Sequence, residues 1–154
     1  MATVAGIKGT IVSVTDGDTL KIRLTDDVEG VGKAGQVVDI RVGGMRAPES
    51  GTPEGEEATA FASEMATPGD EITFRWAGQA DEDGRRFGQI SLPDGTSWAE
   101  NMVYQGYAVP SNQYAVSRQV EMGIQNAART GVPYRYGDAG YGEGGGQYIS
   151  ESIW

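Results

Sequence analysis

A small α+β barrel, mainly β, is the fold this sequence predicts, and three observations carry the prediction. Apolar and polar residues alternate over several short runs, most cleanly where Lys21 and Arg23 separate Leu20, Ile22 and Leu24. Two other stretches repeat their apolar residues at helical spacing, and a third opens with a capping-box pattern. Finally, 24 glycines and six prolines break the 154 residues into short elements. A chain of this length suits one domain with a real core.

The elements follow in order. Ile11 to Val14 forms a first strand and Leu20 to Leu24 a second. Gly30-Val31-Gly32-Lys33-Ala34-Gly35 then matches G-x-G-x-x-G, a pattern that binds dinucleotides only where it opens a helix after a strand. Here Gln36-Val37-Val38 resumes a strand, so the glycines mark a hairpin loop, and Val37 to Val42 is the third strand. Ala58, Phe61, Ala62 and Met65 fall at helical spacing behind Pro53 and three glutamates, Glu54, Glu56 and Glu57. Proline and acidic residues both suit a helix N-terminus. Pro68-Gly69 stops this helix.

Ile72, Phe74 and Trp76 predict a fourth strand, and Phe87 to Leu92 a fifth that ends in the turn Pro93-Asp94-Gly95. Ser97 with Glu100 has the form of a capping box opening a short helix through Gln105. Val116, Val120, Ile124 and Ala127 line one face of a last helix closed by Gly131 and Pro133. The Met, Trp and Phe residues at these positions read as core. From Gly137 onward the composition changes, with six glycines in the ten residues 137–146. The expected organisation is a domain over residues 1–136 and a glycine-rich linker and tail over 137–154. That tail carries Tyr148, Ile149, Ile153 and Trp154. It is either a free terminus or a segment that docks these four residues onto a protein partner or neighbouring subunit.

Composition narrows the chemistry. Cysteine and histidine are both absent, so thiolate metal sites, thiol nucleophiles and the commonest general base are excluded. Catalysis must run on carboxylates, arginines, hydroxyls, backbone groups or a hard cation such as calcium. The net charge is −10. Residues 1–50 are nearly balanced, the acidic excess lies in 51–154, and no lysine follows Lys33. Such a field repels a polyanion at long range, although local arginines can still hold a phosphate. Without a signal peptide or a run of about 18 apolar residues, the expectation is a soluble protein with no membrane role.

Individually, the candidate site residues are ordinary. Asp16-Gly17-Asp18-Thr19 is common turn material, Arg41 could be a solvated surface arginine, and Ala47-Pro48-Glu49 could be a plain helix approach. Their order is specific: Asp-Gly-Asp-Thr between two strands, Ile40-Arg41-Val42, Ala-Pro-Glu, then Gly84-Arg85-Arg86-Phe87-Gly88 and Leu92-Pro93-Asp94-Gly95. Glu57-Ala58-Thr59-Ala60-Phe61 and Gln105-Gly106-Tyr107-Ala108 extend the series. From about Ile7 to about Tyr136 it resembles the staphylococcal nuclease-like, or thermonuclease, family.

The resemblance implies a five-stranded barrel of the oligonucleotide/oligosaccharide-binding type with three helices. It implies calcium-dependent hydrolysis of DNA or RNA, with nucleic acid as partner. Asp18, with Asp16 close by and the Ala47 carbonyl, matches the calcium site, and Thr19 belongs to the same turn. Arg41 and Arg85 match the arginines that hold the phosphate and its developing charge. Glu49 matches the glutamate that positions or deprotonates water. The chemistry is sound, because guanidinium forks and a hard cation absorb transition-state charge while a carboxylate orients water.

Two departures stand against this. The family's second aspartate ligand falls at Arg46. A cation there removes a ligand and repels the metal, by roughly 4 kcal/mol at about 4 Å and an effective dielectric near 20. Arg46 either turns to solvent, leaving a weaker site, or folds inward onto Asp18 or Glu49 and fills the cation's place. In addition, Asp81, Glu82 and Asp83 stand before Gly84-Arg85, where the family often has basic and aromatic residues that hold the nucleotide. The alternative function is therefore a catalytically silent nuclease-like fold, used as a structural module in an assembly such as a phage or virus particle. Location is expected in the cytoplasm or within such a particle.

Overall fold

The protein is described here by a computed structural model over residues 6–80, 84–113 and 116–137. The elements run β1 (Ile7–Asp16), β2 (Thr19–Leu24), β3 (Val37–Val42), β4 (Met45–Arg46), α1 (Pro53–Met65), β5 (Glu71–Ala80), β6 (Arg86–Ser91), α2 (Trp98–Tyr104), β7 (Val109–Pro110) and α3 (Arg118–Thr130). Five of the strands close into a barrel in the order β1-β2-β3-β6-β5, with β5 pairing back onto β1. All neighbours are antiparallel except β3 and β6, which run parallel. The predicted five-stranded barrel with three helices is the observed fold.

Alternation places Leu20, Ile22 and Leu24 of β2, Val38 and Ile40 of β3, and Phe74 and Ile90 of the facing strands inside the barrel. The same cluster takes in Ala58 and Ala62 of α1, Trp98 and Met102 of α2, and Ile124 of α3. Small residues on α1 let that helix sit close to the barrel. Each helix start is capped by a side-chain oxygen: Thr52 accepts from the Gly55 amide, Ser97 from Glu100, and Ser117 from Val120.

The edges differ from the sequence reading in explicable ways. β1 begins at Ile7 rather than Ile11, and β5 continues to Ala80. β1 alternates regularly from Ile7 to Ile11, but its inward position 9 is a glycine with no apolar side chain to mark it, and register shifts between Ile11 and Ser13 and between Val14 and Asp16 break the alternation toward its far end. The small β4–β7 pair was not expected, because two residues are too few to carry a period. Val116 precedes α3, which starts at Arg118 behind the Ser117 cap. The Gly30–Gly35 stretch is indeed the connection between antiparallel β2 and β3, and Gly30 and Gly35 both take positive φ there.

Among the described residues no helix is long and apolar enough to cross a membrane. Asp81, Glu82 and Asp83, and the tail with Tyr148, Ile149, Ile153 and Trp154, lie outside the described residues.

Candidate functional site

The site begins in the two-residue connection between β1 and β2. Asp16 pairs with Thr19 across it. The Asp16 Oδ1 accepts the Asp18 N–H at 3.0 Å, an Asx turn that explains an aspartate two residues ahead of Asp18. Gly17 is buried, and its carbonyl accepts the indole N–H of Trp98 at 2.9 Å. The turn is thereby tied to α2, 81 residues away.

Strand register carries Arg41 to the same place, since it lies opposite Thr19 on β2 and beside Phe87 on β6. Simple alternation with Ile40 and Val42 points Arg41 outward, yet it is only 5% exposed. The β3–β4 turn wraps over it. Its Nη1 donates to the carbonyls of Val42 and of Met45, the latter at 3.3 Å. Its Nη2 lies 3.4 Å from Asp18 Oδ2 in a salt bridge between nearly buried side chains. Arg41 is therefore a buried strut rather than a solvated surface arginine.

Thr19, 3% exposed, connects the remaining parts. Its hydroxyl donates to Asp18 Oδ1 at 3.0 Å and accepts from Arg85 Nη1 at 3.3 Å. The amide of Ala47 donates to Asp18 Oδ2 at 3.2 Å. Asp16, Asp18, Thr19, Arg41, Ala47 and Arg85 thus form one connected group at one end of the barrel.

Arg46 is half-buried, and its main chain pairs with Val109 in the β4–β7 ladder. Glu49 is exposed on the loop beyond, and its carbonyl accepts the Thr52 hydroxyl at 2.8 Å. The sequence reading named neither Thr52 nor Gly55, which hold this loop. The Thr52-Pro53 pair was the missed signal: a hydroxyl residue just before a proline marks a helix cap.

Charge in the site is finely balanced. Burial first, and then the neighbouring Asp18 charge, push the Asp16 carboxyl up to about 7. The donor set does not fit an ordinary calcium site, which takes six to eight oxygens. Both Asp18 oxygens already accept hydrogen bonds, and one of them also faces Arg41. No group of three or more His, Cys, Asp or Glu side chains that could hold a metal ion occurs among the described residues.

Fold and site together define a small closed barrel of the oligonucleotide/oligosaccharide-binding type, with an arginine–carboxylate cluster built on its β1–β2 turn. The chain belongs to the family described as staphylococcal nuclease homologue, whose model matches residues 39–130, more than half of the chain. A second family model, the N-terminal domain of ribosomal protein L9, matches the short stretch 20–47. No curated protein matches the chain.

Proposed function

We propose that this domain hydrolyses phosphodiester bonds in DNA or RNA, and does so without an ordinary calcium site. The observation that carries the reading is the convergence of Asp18, Thr19, Arg41 and Arg85, linked by contacts of 3.0, 3.3 and 3.4 Å. Arg85, half-buried at the rim, holds the phosphate, and Arg41 supplies fixed positive charge beneath it. Glu49 takes a proton from the attacking water as the water oxygen bonds to phosphorus, and the leaving oxygen departs as its bond to phosphorus breaks and takes up a proton from solvent. With no cation to share the developing charge, turnover is slow.

A second reading is favoured by Arg46 and by the occupied oxygens of Asp18. In it the domain is a silent module of a larger assembly, such as a virus particle, docked through Tyr148, Ile149, Ile153 and Trp154. One assay separates the two: cleavage of heat-denatured DNA and of RNA, with calcium or with EDTA, by the native chain, Glu49→Gln and Arg46→Asp. The hydrolase reading expects slow native cleavage that survives EDTA, its loss in Glu49→Gln, and calcium stimulation in Arg46→Asp. A native chain without cleavage at any enzyme concentration overturns it in favour of the module.

A further inference from the structure

Glu49 is exposed and lies only three residues ahead of Thr52, the cap of α1. A base on such a loop needs something to fix its main chain, and the first turn of α1 supplies it. The Gly55 N–H donates to Thr52 Oγ1 at 2.9 Å, and that hydroxyl donates onward to the Glu49 carbonyl at 2.8 Å. The helix approaches this carbonyl so closely that a Cβ on Gly55 would lie 1.8 Å from the Glu49 oxygen and 2.5 Å from its carbon. Gly55 does not take a positive φ, so what this position requires of glycine is space.

We infer that Thr52 and Gly55 are positioning residues for Glu49, together clamping its carbonyl against the start of α1. The inference deepens the hydrolase reading above and rests on it. The hydroxyl satisfies one helix amide and one loop carbonyl at once. Because both partners are main-chain groups, the clamp sets where the Glu49 backbone stands relative to the start of α1. Ser50 and Gly51 bridge the short gap, and the carboxylate is thereby carried to one place. A misplacement of about 1 Å at a catalytic group can cost about 100-fold in rate.

The test compares the full-length native chain with Thr52→Val, Thr52→Ser and Gly55→Ala. Cleavage of heat-denatured DNA is measured, and the Glu49 carbonyl carbon is followed by NMR as a readout independent of activity. Thr52→Val should lower kcat about 10- to 100-fold with KM little changed. The Glu49 carbonyl resonance should move in the same variant. Thr52→Ser, which keeps the hydroxyl, should restore both, and Gly55→Ala should displace the resonance further. Should Gly55→Ala fail to fold, the valine and serine pair still decides the matter. An unmoved resonance in Thr52→Val overturns the clamp. A moved resonance with unchanged kcat overturns its role in positioning. A native chain that never cleaves sinks the hydrolase reading and the clamp's catalytic use with it, whereas the resonance alone reports on the clamp itself.

Discussion

Replacing Gly17 by alanine adds one methyl group to the β1–β2 turn, at a point where the surroundings are already full. The new Cβ would lie 2.6 Å from the Ala47 Cβ, 3.1 Å from the Met102 Cε and 3.4 Å from the Ala58 Cβ. Met102 can swing its terminal methyl aside. Ala47 is less free, because its amide is bonded to Asp18 and the preceding residue pairs in β4. Carbon atoms rest at about 3.5–4.0 Å, so the turn and the Ala47 segment must part by about 1 Å. Overpacking of this kind costs about 1–3 kcal/mol. Stiffening of the unfolded chain returns about 0.4–1 kcal/mol. The expected net loss is about 1–2 kcal/mol, which lowers the urea midpoint by about 0.5–1 M at a slope typical for such a domain. Urea unfolding followed by far-ultraviolet circular dichroism measures it. Ala47→Gly in the Gly17→Ala background removes the opposing methyl and should recover a coupling energy of at least about 0.5 kcal/mol. An unchanged or raised midpoint in Gly17→Ala refutes the reasoning, as does a double mutant that is merely additive.

Two further perturbations probe the charges. Asp16 has its carboxyl raised to about 7, so the folded state favours the protonated form. Its contribution to stability is complete below about pH 4 and lost as pH rises toward 7. Asp16→Asn keeps an oxygen for the Asp18 amide and removes the repulsion. In EDTA its advantage over the native chain should therefore grow between pH 4 and 7. The full shift corresponds to about 4 kcal/mol, and solvent access at this partly exposed group reduces the expected gain to about 1–2 kcal/mol; parallel stability curves for the two proteins refute it. Arg41→Leu strips the guanidinium from Asp18 and from the Val42 and Met45 carbonyls, at a cost of about 3 kcal/mol. Thermal unfolding should then fall by about 6–12 °C, and a midpoint within about 2 °C of native would show that the strut carries no load.

How much of this was legible in advance varies residue by residue. The interior of β2 was plain, because Leu20, Ile22 and Leu24 all enter one core and all lie inside one short run. The Ser97 cap was equally plain, since both of its partners lie within three residues. Arg41 was not. Alternation alone points it outward, and its burial depends on a turn at Val42–Met45 folding over it and on Asp18 arriving from the β1–β2 turn. Gly17 was read as a turn glycine, whereas the reason for it is the Ala47 methyl, 30 positions along the chain. The Ala47 amide facing Asp18 is likewise a long-range outcome with no local signature.

By itself the sequence determined the barrel strands, the three helices and the order of the arginines and carboxylates, because periodicity, caps and turn residues act over a few positions. Only the tertiary structure decided that Asp18 is already held by Thr19, Ala47 and Arg41. It likewise decided that β3 and β6 run parallel and that α1 presses on the Glu49 carbonyl. Those facts depend on which distant groups meet once the barrel closes, and closure is driven by burial that no short stretch of residues contains.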